Sequence, residues 1–132
     1  CQHGANYMHG ELGHIKTGED VLCSCGQRGC LEAVIHDRML QSNGVITQEV
    51  LEYLSIGIAA TINISDTSHA VMVGSYVNQM TQSQQDYLTE AIRNKVTGQH
   101  LRHLDLHFSN QTTQLTLRGM CAYIFDRYFS ID

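Results

Sequence analysis

Apolar positions along this chain recur with a helical period over four stretches and with strand-like character over two. Leu31, Val34, Ile35 and Met39 fall at helical spacing, and Ser42, Asn43 and Gly44 end that run. Thr47 is placed to cap a second, longer helix with the stripe Val50, Leu51, Leu54, Ile58 and Ile62. Ala59 and Ala60 are small enough for close packing there, and Asn63, Ser65 and Asp66 close the helix. His69-Ala-Val-Met-Val-Gly-Ser75 is a short continuous apolar run, which predicts a buried strand of a mostly parallel sheet. Thr81-Gln-Ser-Gln84 has the form of a capping box and opens a helix with Leu88, Ala91, Ile92 and Val96 on one face, up to Gly98. Leu104-Asp-Leu-His-Phe108 alternates, as a strand with one buried face does. A last helix is expected from Leu117, Met120, Cys121, Ile124, Phe125 and Tyr128, with Cys121 a core residue rather than a ligand. That stripe suits the domain's own core or a contact with another subunit. Helices alternating with strands argue for an α/β layer.

Composition narrows the class only a little. The chain has 132 residues, one domain's worth, with 42% hydrophobic and 16% charged residues and a formal charge of −5. That balance argues against this segment being itself a nucleic-acid-binding part. No run approaches the ~20 apolar residues that span a bilayer, and no signal-peptide pattern opens the chain, so a cytoplasmic protein is expected. The chain begins at Cys1, next to its richest motif, and has no proline. The expectation is a piece of a longer protein with more chain upstream.

The chemistry is concentrated between His14 and Glu32. One histidine, His14, is followed by Cys23, Cys25 and Cys30 in a loop punctuated by Gly18, Gly26 and Gly29. Three sulfurs and one imidazole nitrogen complete the tetrahedron that zinc favours, and this reads as a structural zinc loop. A disulfide with a spare thiol is the alternative, but five cysteines, an odd number, suit a reduced compartment better. A zinc knuckle gripping nucleic acid is a further one. The loop carries Lys16 and Arg28 against Glu11, Glu19, Asp20 and Glu32, the wrong balance for phosphates. His3 and His9 read as exposed or hydrogen-bonded rather than as ligands. Residues 1–14 read as a strand end running into a turn. Glu11 and His14, three residues apart, share a side if that stretch is helical or tightly turned.

Gly10-Glu-Leu-Gly-His14 and Cys23-Ser-Cys-Gly-Gln-Arg-Gly-Cys-Leu-Glu32 together resemble the signature of the ROK family of bacterial repressors and sugar kinases. Ile56-Gly-Ile-Ala-Ala-Thr-Ile-Asn63 and Val71-Met-Val-Gly-Ser75 look like the family's late helix and strand, and Phe108-Ser-Asn-Gln111 resembles a segment of its NagC/Mlc-type repressors. The resemblance implies an α/β fold, an actin-like, ribonuclease-H-like lobe with an inserted zinc loop. Residues 1–132 would be the C-terminal part of a ROK domain, 1–32 holding the sugar-binding and zinc loop and 33–132 the helices and late strands. Zinc would be held by His14, Cys23, Cys25 and Cys30, and a sugar or sugar phosphate by Glu11, His14 and Glu32. The segment from Asp37 to Gln48 looks shorter than in many relatives, and Thr67 and Ser68 stand where a proline is expected.

Both classes of the family share the zinc loop. The kinases' catalytic aspartate and phosphate-binding elements have no match in this chain. Kinases usually place Gly-Gly after the late strand, whereas Val73-Gly-Ser-Tyr76 puts side chains there that should crowd a nucleotide. The resemblance therefore implies a sugar-responsive transcriptional regulator, with a sugar kinase as the alternative. It would reach DNA through an upstream domain, assemble as a homo-oligomer and have a transporter component as a possible partner.

Overall fold

A computed structural model describes residues 12–98 and 103–109 of the chain. The expected strand end and turn before Leu12, Glu11, His3, His9 and the last helix with Cys121 lie outside the described residues.

Within them the chain is a mixed helix and strand structure. A short 3-10 turn, Leu12–His14, leads into the cysteine loop, and α1 follows at Leu31–Gln41. Leu31, Val34, Ile35 and Met39 are its buried residues, the stripe that the spacing predicts. Asn43 and Gly44 take positive φ after it, and the Gly44 amide donates to the Met39 carbonyl at 2.8 Å, which stops the helix. The Thr47 hydroxyl then accepts from the Val50 amide and caps α2, Gln48–Ser65, which ends on Asp66 in a left-handed conformation. Val50, Leu51, Leu54, Ile58 and Ile62 are all buried.

Strand β1, His69–Met72, pairs in parallel with β2, Asp105–Phe108, with His69 opposite Asp105 and Met72 opposite Phe108. Parallel neighbours need a long connection. Here it includes α3, Ser75–Gln79, and α4, Gln82–Lys95. The expected capping box is present on α4: the Thr81 side chain accepts from the Gln84 amide, and the Gln84 side chain answers the Thr81 amide. Helix α4 ends at Lys95, ahead of Gly98, because Val96 turns extended.

Two expectations change. The run from His69 was read as a buried strand, but His69 is exposed, Ala70 and Val71 are half-buried, and only Met72 of β1 is buried. The run also stops being strand at Val73, where Gly74, with φ near 124°, turns the chain into α3. This helix turns Tyr76 inward, 4% exposed, among the core residues, and leaves Ser75 outside. Tyr76 therefore fills the core instead of standing out beside the turn, as the expectation had it, and Ser75 is the exposed side chain there.

The core lies between α1, α2 and α4. Leu31, Ile35, Leu54, Ile62, Leu88 and Ile92 are its largest fully buried side chains. Glu52 of α2 clasps α4 from outside, accepting from Tyr87 Oη at 2.6 Å and Lys95 Nζ at 2.7 Å. Gly57, rather than Ala60, is the close-contact position. A Cβ on Gly57 would come within 2.7 Å of Leu31 Cδ2 and 3.6 Å of Leu12 Cδ2, so the start of α1 and the 3-10 turn both rest on bare α2 backbone. Ala59 is buried as expected, whereas Ala60 is half-exposed. No helix among the described residues is long and apolar enough to cross a membrane.

Gly57→Val is expected to lower unfolding free energy by about 1–3 kcal/mol, since Leu31 is fully buried and has no room to retreat. Urea unfolding monitored by far-UV circular dichroism checks this.

Candidate metal centre

The loop that carries the cysteines is built from two short antiparallel pairings. Near its base the Thr17 amide donates to the Gly29 carbonyl and the Leu31 amide to the Ile15 carbonyl, each at 2.8 Å, so that Lys16 faces Cys30. Further out Leu22 faces Arg28, the Cys23 amide donates to the Gln27 carbonyl, and the Gly26 amide turns back to the Cys23 carbonyl. Gly29 joins the two pairings with φ near 78°, and a Cβ there would lie 2.7 Å from the Glu19 carbonyl oxygen. Both facts require glycine. The chain then enters α1 through Cys30, its N-cap.

This folding brings His14, Cys23, Cys25 and Cys30 together. One ligand atom from each lies within 4.8 Å of all the others, and the group could hold a metal ion. Cys23 Sγ is 3.7 Å from His14 Nδ1, and Cys25 Sγ is 3.7 Å from Cys30 Sγ. Zn–S bonds of about 2.3 Å put the sulfurs of a tetrahedron about 3.8 Å apart, and a sulfur and an imidazole nitrogen about 3.6 Å apart. The ligand set and both of these separations fit such a cation. Cys23 and Cys30 are buried and Cys25 is exposed.

Glu32, in the first turn of α1, lies against the same group. Its Oε1 is 3.4 Å from Cys23 Sγ and 3.8 Å from His14 Nδ1. Its Oε2 sits 2.6 Å from where a Cβ on Gly13 would be, so the carboxylate lies over bare backbone. Of the site residues expected from the sequence, five are thus gathered at one place, and Glu11 lies outside the described residues.

Several neighbours had no sequence signal. Lys16 Nζ is 3.0 Å from Cys30 Sγ, and that contact holds the Lys16 ammonium above its ordinary range. Arg38 of α1 reaches Glu49 at 2.9 Å, Asp37 at 2.5 Å and Glu19 of the loop at 3.2 Å. Tyr53 of α2 donates to the other oxygen of Glu19 at 3.0 Å. The loop is therefore tied by one carboxylate to two helices. Arg28 pairs with Asp20 on the surface.

Comparison with known proteins agrees with this local picture. The model of the ROK family matches residues 1–45 of the 132, the stretch that contains the loop. No curated protein sequence matches the chain. Among solved structures, the fold is similar to a ROK hexokinase from Thermus thermophilus, with a TM-score of 0.62 at 21% identity, over 85% of this chain and 46% of that one. It is also similar to a ROK family transcriptional regulator described as a homolog of the E. coli MLC protein, with a TM-score of 0.58 at 21% identity, over 80% of this chain and 35% of that one. The chain spans less than half the length of either.

Burial pushes the Cys23 thiol up to about 11, while the Gln27 backbone amide draws Cys25 below its ordinary range. Cys23 is thus protonated at neutral pH until a cation displaces its proton. Metal uptake is expected to strengthen as pH rises, by about tenfold per pH unit for each proton displaced. Competition titrations with a chelator at pH 6, 7 and 8 check this, and a flat profile would contradict it.

Proposed function

We propose that this chain is the metal-holding, effector-binding part of a ROK protein, an actin-like lobe that serves a sugar-responsive transcriptional regulator. The observation that carries the reading is the joining of the family's loop to a carboxylate: Glu32 stands against the His14–Cys23 side of the cluster. His14, Cys23, Cys25 and Cys30 would hold zinc, which would supply structure by fixing the loop that presents the side chains. One nitrogen of His14 would hold the ion and the other would meet a sugar hydroxyl. Glu11 and Glu32 would accept hydrogen bonds from neighbouring hydroxyls of a sugar or sugar phosphate. In the intact protein the bound effector would bias the arrangement of lobes or subunits, and so the DNA affinity of an upstream domain. A homo-oligomer and a transporter component as partner belong to the same reading.

A sugar kinase is the second reading, because the kinases share this loop. Ser75, exposed where a second glycine would leave bare backbone for a nucleotide, favours the regulator.

Glu11→Ala and Glu32→Ala in the intact protein are each expected to weaken sugar binding by about 10–100-fold, the worth of a charge-assisted hydrogen bond or two. Calorimetry with candidate hexoses and their phosphates measures this, and an unchanged sugar response in both variants rejects the site. Incubation with hexose and ATP separates the two readings, since phosphorylated sugar would establish the kinase. Chelation is expected to speed hydrogen exchange across residues 15–30 before it reaches α2 and α4. Simultaneous loss of protection everywhere would show that zinc holds the whole domain.

A further inference from the structure

Lys16 reaches the metal centre because the backbone leaves it no other face. The hydrogen bonds from Leu31 to Ile15 and from Thr17 to Gly29 bracket Lys16 and Cys30, making them the non-hydrogen-bonded pair of that short ladder. Side chains of such a pair leave the same face at close range. Nζ accordingly comes to 3.0 Å from Cys30 Sγ, although Lys16 itself is exposed and Cys30 is fully buried.

Two other cations among the described residues, on the loop and on α1, are committed elsewhere. Arg28 pairs with Asp20, and Arg38 with Glu19, Asp37 and Glu49. The charge count at the centre gives the ammonium a purpose. Three thiolates and a neutral imidazole around a divalent ion leave one negative charge in excess, and the Glu32 carboxylate adds another beside Cys23. Lys16 stands on the Cys30 side, where it offsets that excess.

We infer that Lys16 is a positioning residue of the metal centre: its ammonium donates to the Cys30 sulfur, draws electron density from that ligand, and slows metal loss from the loop. The inference rests on the zinc reading of the cluster. It adds a residue outside the four ligands, found through pairing register rather than through a motif.

The test uses the full chain loaded with cobalt(II) in place of zinc. Lys16→Met keeps the aliphatic stem and removes the charge, and Lys16→Arg keeps the charge. Lys16→Met is expected to move the sulfur-to-cobalt charge-transfer band to lower energy, because the sulfur becomes the better electron donor. It should also hasten metal loss to a chelator on the order of tenfold, the low end for removing an outer partner of a metal ligand. Lys16→Arg should stay close to the parent in both. Added salt should narrow the gap between parent and Lys16→Met, since the ammonium is exposed. A merely structural role would leave the band energy in place. If Lys16→Met matches the parent in band and loss rate, or if Lys16→Arg behaves like Lys16→Met, the role of the charge is overturned while the zinc reading stands. If the parent shows no charge-transfer band, the zinc reading falls and this inference with it.

Discussion

The pairing of residues 15–17 with 29–31 is the constraint on which the rest of the site depends. It closes the loop and delivers Cys30 to the start of α1. The same pairing brings Ile15, next to His14, alongside Leu31. One ladder thereby sets the distance between the first and last ligands and the direction in which the first helix leaves. Because Leu31 is also the residue seated on Gly57, loop closure and helix packing share a side chain. The loop is not an appendage; its last residues are the first residues of the core.

Polar contacts reinforce that arrangement at the periphery. Glu19 receives Arg38 from α1 and Tyr53 from α2, while Glu52 receives Tyr87 and Lys95 from α4. Each carboxylate meets two partners of different chemistry, a cation and a phenol. Exposed ion pairs contribute little singly, so their value here lies in orientation more than in stability. The stability comes from the apolar wedge of Leu54, Ile62, Leu88 and Ile92 between α2 and α4.

Much of this was legible because two kinds of signal survive without a structure. Helical periodicity located α1, α2 and α4, with Thr47 and Thr81 marking two of the starts, since both the stripe and the cap are local chemistry. The grouping of His14 with the three cysteines was legible because sulfur and imidazole at close spacing have few other uses. What stayed hidden was set by register and by turns too short to show a period. Helix α3 is only five residues long, so Tyr76 read as a projecting side chain beyond the strand when it is a core residue. Lys16 meets Cys30 across 14 positions of sequence, and Glu19 meets Arg38 and Tyr53 across 19 and 34, and nothing in their local surroundings announces it. Gly57 was quoted in a motif, but its role needs Leu31 in place above it.

The double hold on Glu19 bears on how such a loop can be used elsewhere. All four residues that could hold a metal ion fall between His14 and Cys30, so a short peptide would contain the whole candidate set. It would lack the guanidinium from α1 and the phenol from α2 that fix the loop's tilt. Transplanted alone, the segment would keep its composition and forfeit its posture. A borrowed version has to bring the two helices' contacts along, which makes the loop portable only as part of a three-element cassette.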